Sequence, residues 1–140
     1  MRVEPYLYFN GRCEEAVEFY RRTVGAEVNV LTRFKDNPGA PAPEGAGEKV
    51  MHADLRIGDT TILASDGQCN GTPDFRGFSL SLTAAKDAEA DRLFTALSDG
   101  GHVQVPLMST PFASRFGMVA DRFGLLWTVA AHEQNALASA

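Results

Sequence analysis

Residues 6–25 read YLYFNGRCEEAVEFYRRTVG, a short apolar strand followed by an amphipathic helix and a closing glycine. Within Glu14–Val24 the apolar side chains recur with the 3.6-residue period of a helix that buries one stripe. Gly25 follows the last periodic residue, where a helix end favours the left-handed conformation that glycine adopts without strain. The stretch therefore predicts a strand–helix unit that opens with Tyr6–Phe9.

The same order recurs further along the chain, where Phe78–Leu82 precedes a predicted helix over Asp87–Ser98 and Gly100-Gly101 ends it. Repeated supersecondary units usually cannot bury their apolar faces alone, so they pack against each other. Strand signals separated by tight turns, such as Gly58-Asp59, fill most of each half. Antiparallel hairpins with helices on one face predict an α+β fold made of two βαβββ modules.

The predicted organisation is one compact domain in four segments. The first module covers residues 1–66, the linker 67–76, the second module 77–132 and the tail 133–140. The stretch Lys35–Lys49 is rich in proline and glycine and shows no regular period. Loops of this length act as lids, as binding loops or as disordered segments, and the sequence leaves a lid and a disordered segment as alternatives here.

Composition limits the classes of partner. The chain has 140 residues and a formal net charge of −5, whereas nucleic-acid binding needs a clustered basic surface. No window approaches the apolar length of a membrane span, so we expect neither nucleic acid nor a membrane as a partner. Cys13 and Cys69 form no disulfide framework, and the simplest location for the protein is the cytoplasm.

Several segments together carry a resemblance to a known family: Tyr6–Ala16, Phe19-Tyr20, Gly25–Glu27, Met51–Asp59, Ser65-Asp66, Arg115–Val119 and Asp121–Trp127. The chain resembles the vicinal-oxygen-chelate, or glyoxalase/bleomycin-resistance, superfamily and its PhnB-like branch, sometimes labelled 3-demethylubiquinone methyltransferase-like. Members of this superfamily pair βαβββ modules whose curled mixed sheets surround a shared cavity, with the helices outside, and they usually form homodimers. The resemblance implies the same fold and a homodimer for this chain.

The resemblance also bears on metal binding. In metal-dependent members four ligands, usually His, Glu or Gln, come from the first and last strands of each module. By motif these positions fall at Tyr6, around Ile62–Ala64, near Ser79 and near Thr128. A phenol, two hydroxyls and apolar side chains are poor ligands for a divalent ion, so we predict no metal and no other cofactor. The chain also has no strand–Gly-x-Gly–helix motif for an adenosyl cofactor, so the family label does not imply methyl transfer.

The candidate ligand-binding residues are aromatic or polar and lie on predicted strand faces: Tyr6, Tyr8, His52, Ser79 and Thr128. Tyr6 and Tyr8 share one face and offer an aromatic wall for a flat or apolar ligand. His52 is the best candidate for acid–base work, since it shares a face with Asp54. The alternative is a structural role, in which Asp54 or solvent makes the hydrogen bonds of the His52 ring.

Other residues admit a structural interpretation beside a functional one. Cys13 precedes the first helix, where a thiolate would be stabilised, but a small buried hydrophobe is the favoured interpretation. Arg115 could meet an anionic ligand, although a surface salt bridge is commoner. We expect Asp121 to hold the turn before Gly124 and Asp66 to cap a strand end.

The predicted function is a metal-independent small-molecule-binding protein of the PhnB-like branch. The alternative is a divalent-metal-dependent lyase, isomerase or dioxygenase that uses substitute ligands around His52, with Asp54 or Asp66. A third possibility is a dimeric interaction module without a small ligand. Whether the chain is an enzyme stays open on the sequence alone.

Overall fold

The computed structural model of the chain describes residues 1–39, 42–69 and 72–133. The chain divides into two compact units, Met1–Pro73 and Asp74–Ala140, which are called the first and the second unit below. Each has a four-stranded mixed sheet and a twelve-residue α-helix among the described residues. This is the two-module α+β fold that the sequence predicts. The exact segment boundaries and the cavity shared by the modules stay predictions.

The first unit contains these elements: β1 (Tyr6–Tyr8), α1 (Cys13–Val24), β2 (Glu27–Arg33), a short 3₁₀ helix (Phe34–Asp36), β3 (Val50–Ile57) and β4 (Thr60–Ser65). Its strand order is β1-β4-β3-β2, with β1 parallel to β4 and the other pairs antiparallel. The second unit follows the same plan: β5 (Leu80–Ala84), α2 (Asp87–Ser98), β6 (His102–Thr110), β7 (Ala113–Ala120) and β8 (Leu126–Ala131). Its strand order is β5-β8-β7-β6, with β5 parallel to β8.

The helices match their sequence signals closely. The first helix begins one residue before the predicted Glu14, and Gly25 ends it with φ 70° while its N–H donates to Tyr20 O. The second helix spans Asp87–Ser98 as predicted. Its C-cap is Asp99, whose N–H donates to Ala96 O, and the N–H of the following Gly101 donates to Ser98 O at 2.9 Å. The 3.6-residue period and the terminal glycines therefore located both helices.

One predicted strand is displaced. The sequence predicts a strand over Phe78–Leu82, but β5 covers Leu80–Ala84. Gly77 has φ 92°, which turns the chain just before this point, and the exposed Phe78 ring packs edge-on against Phe75. The apolar residue at position 78 therefore belongs to an aromatic contact in the connection and not to the strand.

The core of each unit lies on one side of its sheet. In the first unit α1 packs against β2 and β3, and the side chains that alternate toward it are buried: Leu7, Ala53, Leu55, Ile62 and Ala64. In the second unit α2 packs against all four strands, and the buried set includes Val119, Trp127, Val129 and Ala131. Strand alternation sends the remaining side chains to the other side of each sheet.

We call that other side the open face. Residues directly across a ladder point the same way, so the register defines each face. The open face of the first unit carries Tyr6, Tyr8, Val30, Thr32, His52, Asp54 and Leu63. The open face of the second unit carries Ser81, Thr83, Met108, Phe116, Met118, Thr128 and Ala130.

The connection over Lys35–Lys49 is closed at its base. The N–H of Lys35 donates to Gly47 O at 3.0 Å, and the Lys35 ammonium binds the Glu48 carboxylate at 2.7 Å. Ala40 and Pro41, which belong to this stretch, lie outside the described residues, as do Asn70 and Gly71 of the predicted linker. The lid role of the stretch stays a prediction.

The predicted tail is described only at its first residue. Glu133 accepts the N–H of Asp87 at 2.6 Å and so stabilises the start of α2, while residues 134–140 lie outside the described part. Over the described ranges, no helix is long and apolar enough to cross a membrane.

Candidate functional site

Three of the predicted ligand-binding residues meet on the open face of the first unit. The Tyr6 hydroxyl lies 2.9 Å from Nδ1 of His52. The rings of Tyr6 and Tyr8 are stacked, with centroids 5.0 Å apart and planes 12° apart. The His52 ring is tilted by 52° to that of Tyr6 at a centroid distance of 5.7 Å. We call Tyr6, Tyr8 and His52 the aromatic–histidine cluster.

Strand order brings this cluster together. Tyr6 lies across from Leu63 of β4, and Leu63 lies across from Asp54 of β3. His52 is two residues before Asp54 on the same face, so the side chains of Tyr6 and His52 meet across β4. The contact therefore depends on parallel pairing of β1 with β4, which places the first strand of the unit beside the last.

The cluster faces solvent and keeps polar groups unused. Tyr6 is 39% exposed and Tyr8 is 51% exposed, which is high for tyrosines that stack on each other. Over the ranges that the structure describes, neither the Tyr8 hydroxyl nor Nε2 of His52 has a hydrogen-bond partner in the protein. Burial is the main cause of a raised pKa at Tyr6, and the negative charges that ionised Tyr8 and Cys13 would carry add to it. The Tyr6 phenol therefore keeps its proton at neutral pH.

Gly67 supports the Tyr8 ring from the connection after β4. A Cβ atom at Gly67 would lie 3.1 Å from Cδ1 of Tyr8, and the residue has φ 56°. Glycine is favoured here because the ring packs against the backbone and because other residues rarely adopt this φ. The sequence analysis assigned Gly67 to the linker, and only its place directly after Asp66 hinted at a supporting role.

The other two predicted residues meet on the second unit. The hydroxyl groups of Ser79 and Thr128 are 3.0 Å apart and satisfy each other. Ser79 precedes β5, whereas Thr128 lies within β8. The five predicted residues thus form two groups, one on each unit, and a common site for all five stays a prediction.

Apolar residues beside Thr128 were missed by the sequence analysis. Met118 lies directly across from Thr128, and Phe116 lies across from Ala130. The Phe116 ring also meets the exposed ring of Phe112 edge-on at 5.2 Å. The signal that could have found them is the alternation along β7, where Gly117 and Val119 are buried and their neighbours are half-exposed.

The residues at the superfamily's metal-ligand positions do not fit a divalent ion. The Tyr6 phenol is bound to His52, the hydroxyls of Ser79 and Thr128 bind each other, and Ile62–Ala64 offers no side-chain donor. Over residues 1–39, 42–69 and 72–133, no group of three or more His, Cys, Asp or Glu side chains could hold a metal ion. The donor chemistry of this chain therefore gives no basis for a metal step.

The alternative function would use Asp66 beside His52. Both carboxylate oxygens of Asp66 instead accept hydrogen bonds from backbone N–H groups. Asp66 is 1% exposed, and its Oδ1 accepts the N–H groups of Gly11 at 2.7 Å and Cys13 at 2.8 Å. Its Oδ2 accepts the N–H of Val50 at 2.8 Å. The expected strand-end cap is confirmed, and this carboxylate ties the start of α1 to β3.

The structural interpretations of Asp121, Cys13 and Arg115 are also confirmed, whereas in the described part of the chain His52 bonds to Tyr6 and not to Asp54. Asp121 is buried and accepts the N–H groups of Phe123 and Leu125 and the indole N–H of Trp127. Cys13 is fully buried, and burial, followed by the charge of Asp66, raises the pKa of its thiol far above the ordinary value. Arg115 forms ion pairs with Asp91 at 2.9 Å and with Asp87 at 3.5 Å.

Comparison with known proteins settles the family. The model of the family described as 3-demethylubiquinone-9 3-methyltransferase matches residues 1–130. The chain belongs to this family. Protein YjdN of Escherichia coli K12 is 32% identical over 141 residues, which cover 92% of this chain and 94% of that protein.

Solved structures similar to the chain include a protein that carries the PhnB label of the same family. Protein PA1353 of Pseudomonas aeruginosa is 38% identical, with a TM-score of 0.84 over 96% of this chain and 99% of that one. The PhnB protein of Bacillus cereus is 26% identical, with a TM-score of 0.79 over 94% and 99% of the two chains. A glyoxylase/bleomycin resistance protein/dioxygenase domain from Frankia is 13% identical with a TM-score of 0.65, covers 99% and 97%, and shares the fold alone.

Proposed function

We propose that this PhnB-like chain is a small-molecule-binding protein that works without a metal ion. The observation that carries the proposal is the aromatic–histidine cluster, where two stacked tyrosines stand half-exposed beside a histidine of fixed orientation. Tyr6, Tyr8 and His52 are the proposed ligand contacts on the first unit. Ser79 and Thr128 are the proposed polar contacts on the second.

Two physical features of the cluster support this function. Stacked tyrosines offer a large rigid contact area, and they lose little conformational entropy when a ligand covers them. The free hydroxyl of Tyr8 and Nε2 of His52 add polar groups that orient a ligand, which is the usual composition of a small-molecule site.

Methyl transfer is not part of the proposal, although the family description names a methyltransferase. The sequence lacks the strand–Gly-x-Gly–helix motif that binds an adenosyl cofactor in doubly wound folds. The homodimer and the cytoplasmic location rest on the superfamily and on cysteine usage, and both are proposals. Size-exclusion chromatography with light scattering checks the first of these.

The test is thermal unfolding of chelator-treated protein against Mn²⁺, Ni²⁺, Fe²⁺ and Zn²⁺ and against a library of metal-free small molecules. We expect no saturable rise of the unfolding midpoint with any metal, and a saturable rise with at least one organic compound. Tyr8→Ala should abolish that rise. Phe112→Ala, which removes an exposed aromatic ring from the second unit, should leave it in place and serves as the matched control.

Two results would contradict the proposal. A metal-dependent rise that a chelator reverses would show that the donor set does bind an ion. A ligand response unchanged in both Tyr8→Ala and His52→Ala would show that the aromatic–histidine cluster makes no ligand contact.

A further inference from the structure

The hydrogen bond between Tyr6 and His52 has a preferred direction. A phenol O–H is a good donor, whereas the unprotonated nitrogen of a neutral imidazole is a better acceptor than a phenol oxygen. At a separation of 2.9 Å, the favourable arrangement therefore has the Tyr6 O–H donating to Nδ1 of His52. The raised pKa of the Tyr6 phenol maintains this donor through the neutral range.

In a neutral histidine, accepting a hydrogen bond at one ring nitrogen determines that the other nitrogen carries the proton. A neutral imidazole carries one proton, so a lone pair at Nδ1 requires an N–H at Nε2. In the described part of the chain no protein group accepts from Nε2 of His52. Its N–H is thus a donor left for a ligand on the open face, next to a stacked aromatic pair.

We infer that Tyr6 holds His52 as the Nε2–H tautomer, so that the first unit selects aromatic ligands that carry an uncharged oxygen acceptor. This inference rests on the proposed function and names the ligand class for the same cluster. In this scheme the Tyr6 hydroxyl orients His52, while the rings of Tyr6 and Tyr8 and Nε2 of His52 contact the ligand. The aromatic part stacks on the tyrosines, and a carbonyl or phenolic oxygen accepts from His52.

Charge near the cluster argues for an uncharged acceptor. Arg33 of β2 is bound to Glu14 at 2.6 Å, and Arg56 of β3 is bound to Glu27 at 2.7 Å. Asp54 lies on the open face two residues from His52, and the whole chain carries a formal charge of −5. A ligand carboxylate would be repelled by the Asp54 carboxylate, and the arginines of β2 and β3 are already paired with Glu14 and Glu27.

The tautomer is tested first, on the protein without a ligand. Long-range proton–nitrogen NMR at about pH 8, where histidine is ordinarily neutral, distinguishes Nδ1–H from Nε2–H rings. We expect the Nε2–H pattern for His52 in the native protein and a loss of that single pattern in Tyr6→Phe, which keeps the ring but removes the hydroxyl. An Nδ1–H pattern for His52 in the native protein would overturn the inference.

His132 provides an internal control for the same spectrum. Its Nδ1 lies 3.2 Å from the carbonyl oxygen of Phe112, and a carbonyl can only accept. His132 should therefore show the opposite tautomer, and its signal should be unchanged by Tyr6→Phe. A change at His132 as large as that at His52 would mean that the substitution disturbs the whole fold, and Tyr6→Phe would then be replaced by Tyr6→Leu with His52 monitored again.

The ligand class is tested with four matched probes followed by NMR titration of the tyrosine and histidine signals. Acetophenone has both ring and carbonyl, ethylbenzene lacks the acceptor, cyclohexyl methyl ketone lacks the aromatic ring, and benzoate adds a negative charge. We expect acetophenone to bind roughly three- to tenfold more tightly than each of the others, since one hydrogen bond or one aromatic contact is worth about that much. Tyr6→Phe should reduce the advantage over ethylbenzene, because His52 then exchanges between two tautomers, and should keep the advantage over the cyclohexyl ketone.

The outcomes separate the inference from the proposed function. Binding to the cluster with equal affinity for acetophenone and ethylbenzene, or with a preference for benzoate, would overturn the ligand class and leave a small-molecule site standing. The absence of any shift at Tyr6, Tyr8 and His52 with all four probes and with every compound of the thermal screen would overturn both.

Discussion

At the residue scale, two buried aspartates fix connections between elements by accepting backbone hydrogen bonds. Asp66 joins the start of α1 to β3, and Asp121 holds the turn between β7 and β8. The two positions are not equivalent in the repeat, because Asp66 follows the last strand of its unit whereas Asp121 follows the second last. Each unit therefore has its own polar anchor, although both follow the same strand plan.

Substitution of Asp66 by Asn should destabilise the first unit. The amide keeps one acceptor oxygen but turns an NH₂ group toward a backbone N–H in a site that is 1% exposed. Loss of charged hydrogen bonds and a buried unsatisfied donor together cost about 2–4 kcal/mol. Urea unfolding followed by circular dichroism measures the change. Asp59→Asn, in the exposed Gly58-Asp59 turn, is the matched control and should change stability by less than about 0.5 kcal/mol.

Cys13 should make the protein less stable in alkaline solution. Its buried thiol has a raised pKa and stays protonated in the folded chain, whereas an unfolded thiol ionises near pH 8.5. Stability from this group is complete below that pH and is lost as the pH rises above it, by about 1.4 kcal/mol per pH unit. Urea unfolding between about pH 7 and 10 should show a steeper decline for the native chain than for Cys13→Ala. Parallel curves for the two proteins would contradict this.

At the element scale, Gly117 lets the irregular part of β6 approach β7 closely. A Cβ atom at Gly117 would lie 2.8 Å from Cα of Leu107, in the part of β6 where the register shifts between Val105 and Met108. Gly117→Ala must displace backbone and should cost about 1–3 kcal/mol. Gly47→Ala, where the nearest atom is the Lys35 Cβ at 3.7 Å, is the control and should be near neutral. Equal unfolding midpoints for both variants would show that β6 yields without cost.

The sequence predicted the helices better than the site for a physical reason. A helix is specified by neighbours within its own turn, so the period of Glu14–Val24 and the position of Gly25 were sufficient. The Tyr6–His52 contact depends on parallel pairing of β1 with β4, which strand alternation alone does not determine. Residue chemistry selected both side chains as candidates, but only the strand order shows that they touch.

The displaced strand and the missed apolar residues have the same origin. Alternation in Phe78–Leu82 and in β7 shows two unlike faces, but not which face packs on a helix or whether a ring leaves the strand. The strand prediction therefore included Phe78, and it did not assign Phe116 and Met118 to an open face. Burial is a property of the assembled unit and not of the alternating pattern.

At the scale of the whole molecule, each sheet has its buried core on the helix side and the proposed ligand contacts on or beside its open face. Tyr8→Ala and Thr128→Ala remove half-exposed side chains and should each change the free energy of unfolding by about 1 kcal/mol or less. Leu55→Ala removes a side chain buried beneath α1 and should cost about 2–5 kcal/mol. Chemical denaturation of the three variants measures the difference. A cost for Tyr8→Ala as large as that for Leu55→Ala would show that the open face also contributes to the core.

The one-sided core also bears on how such a chain evolves. Under the proposed function, a mutation on an open face changes which ligand is bound. It leaves the packing on the helix side of the sheet unchanged. After gene duplication, substitutions on the open face can change the bound compound. The helix-facing residues that specify the fold can stay the same. Paralogues of such a chain are expected to keep the helix-facing positions and to diverge first at positions 6, 8, 52, 118 and 128.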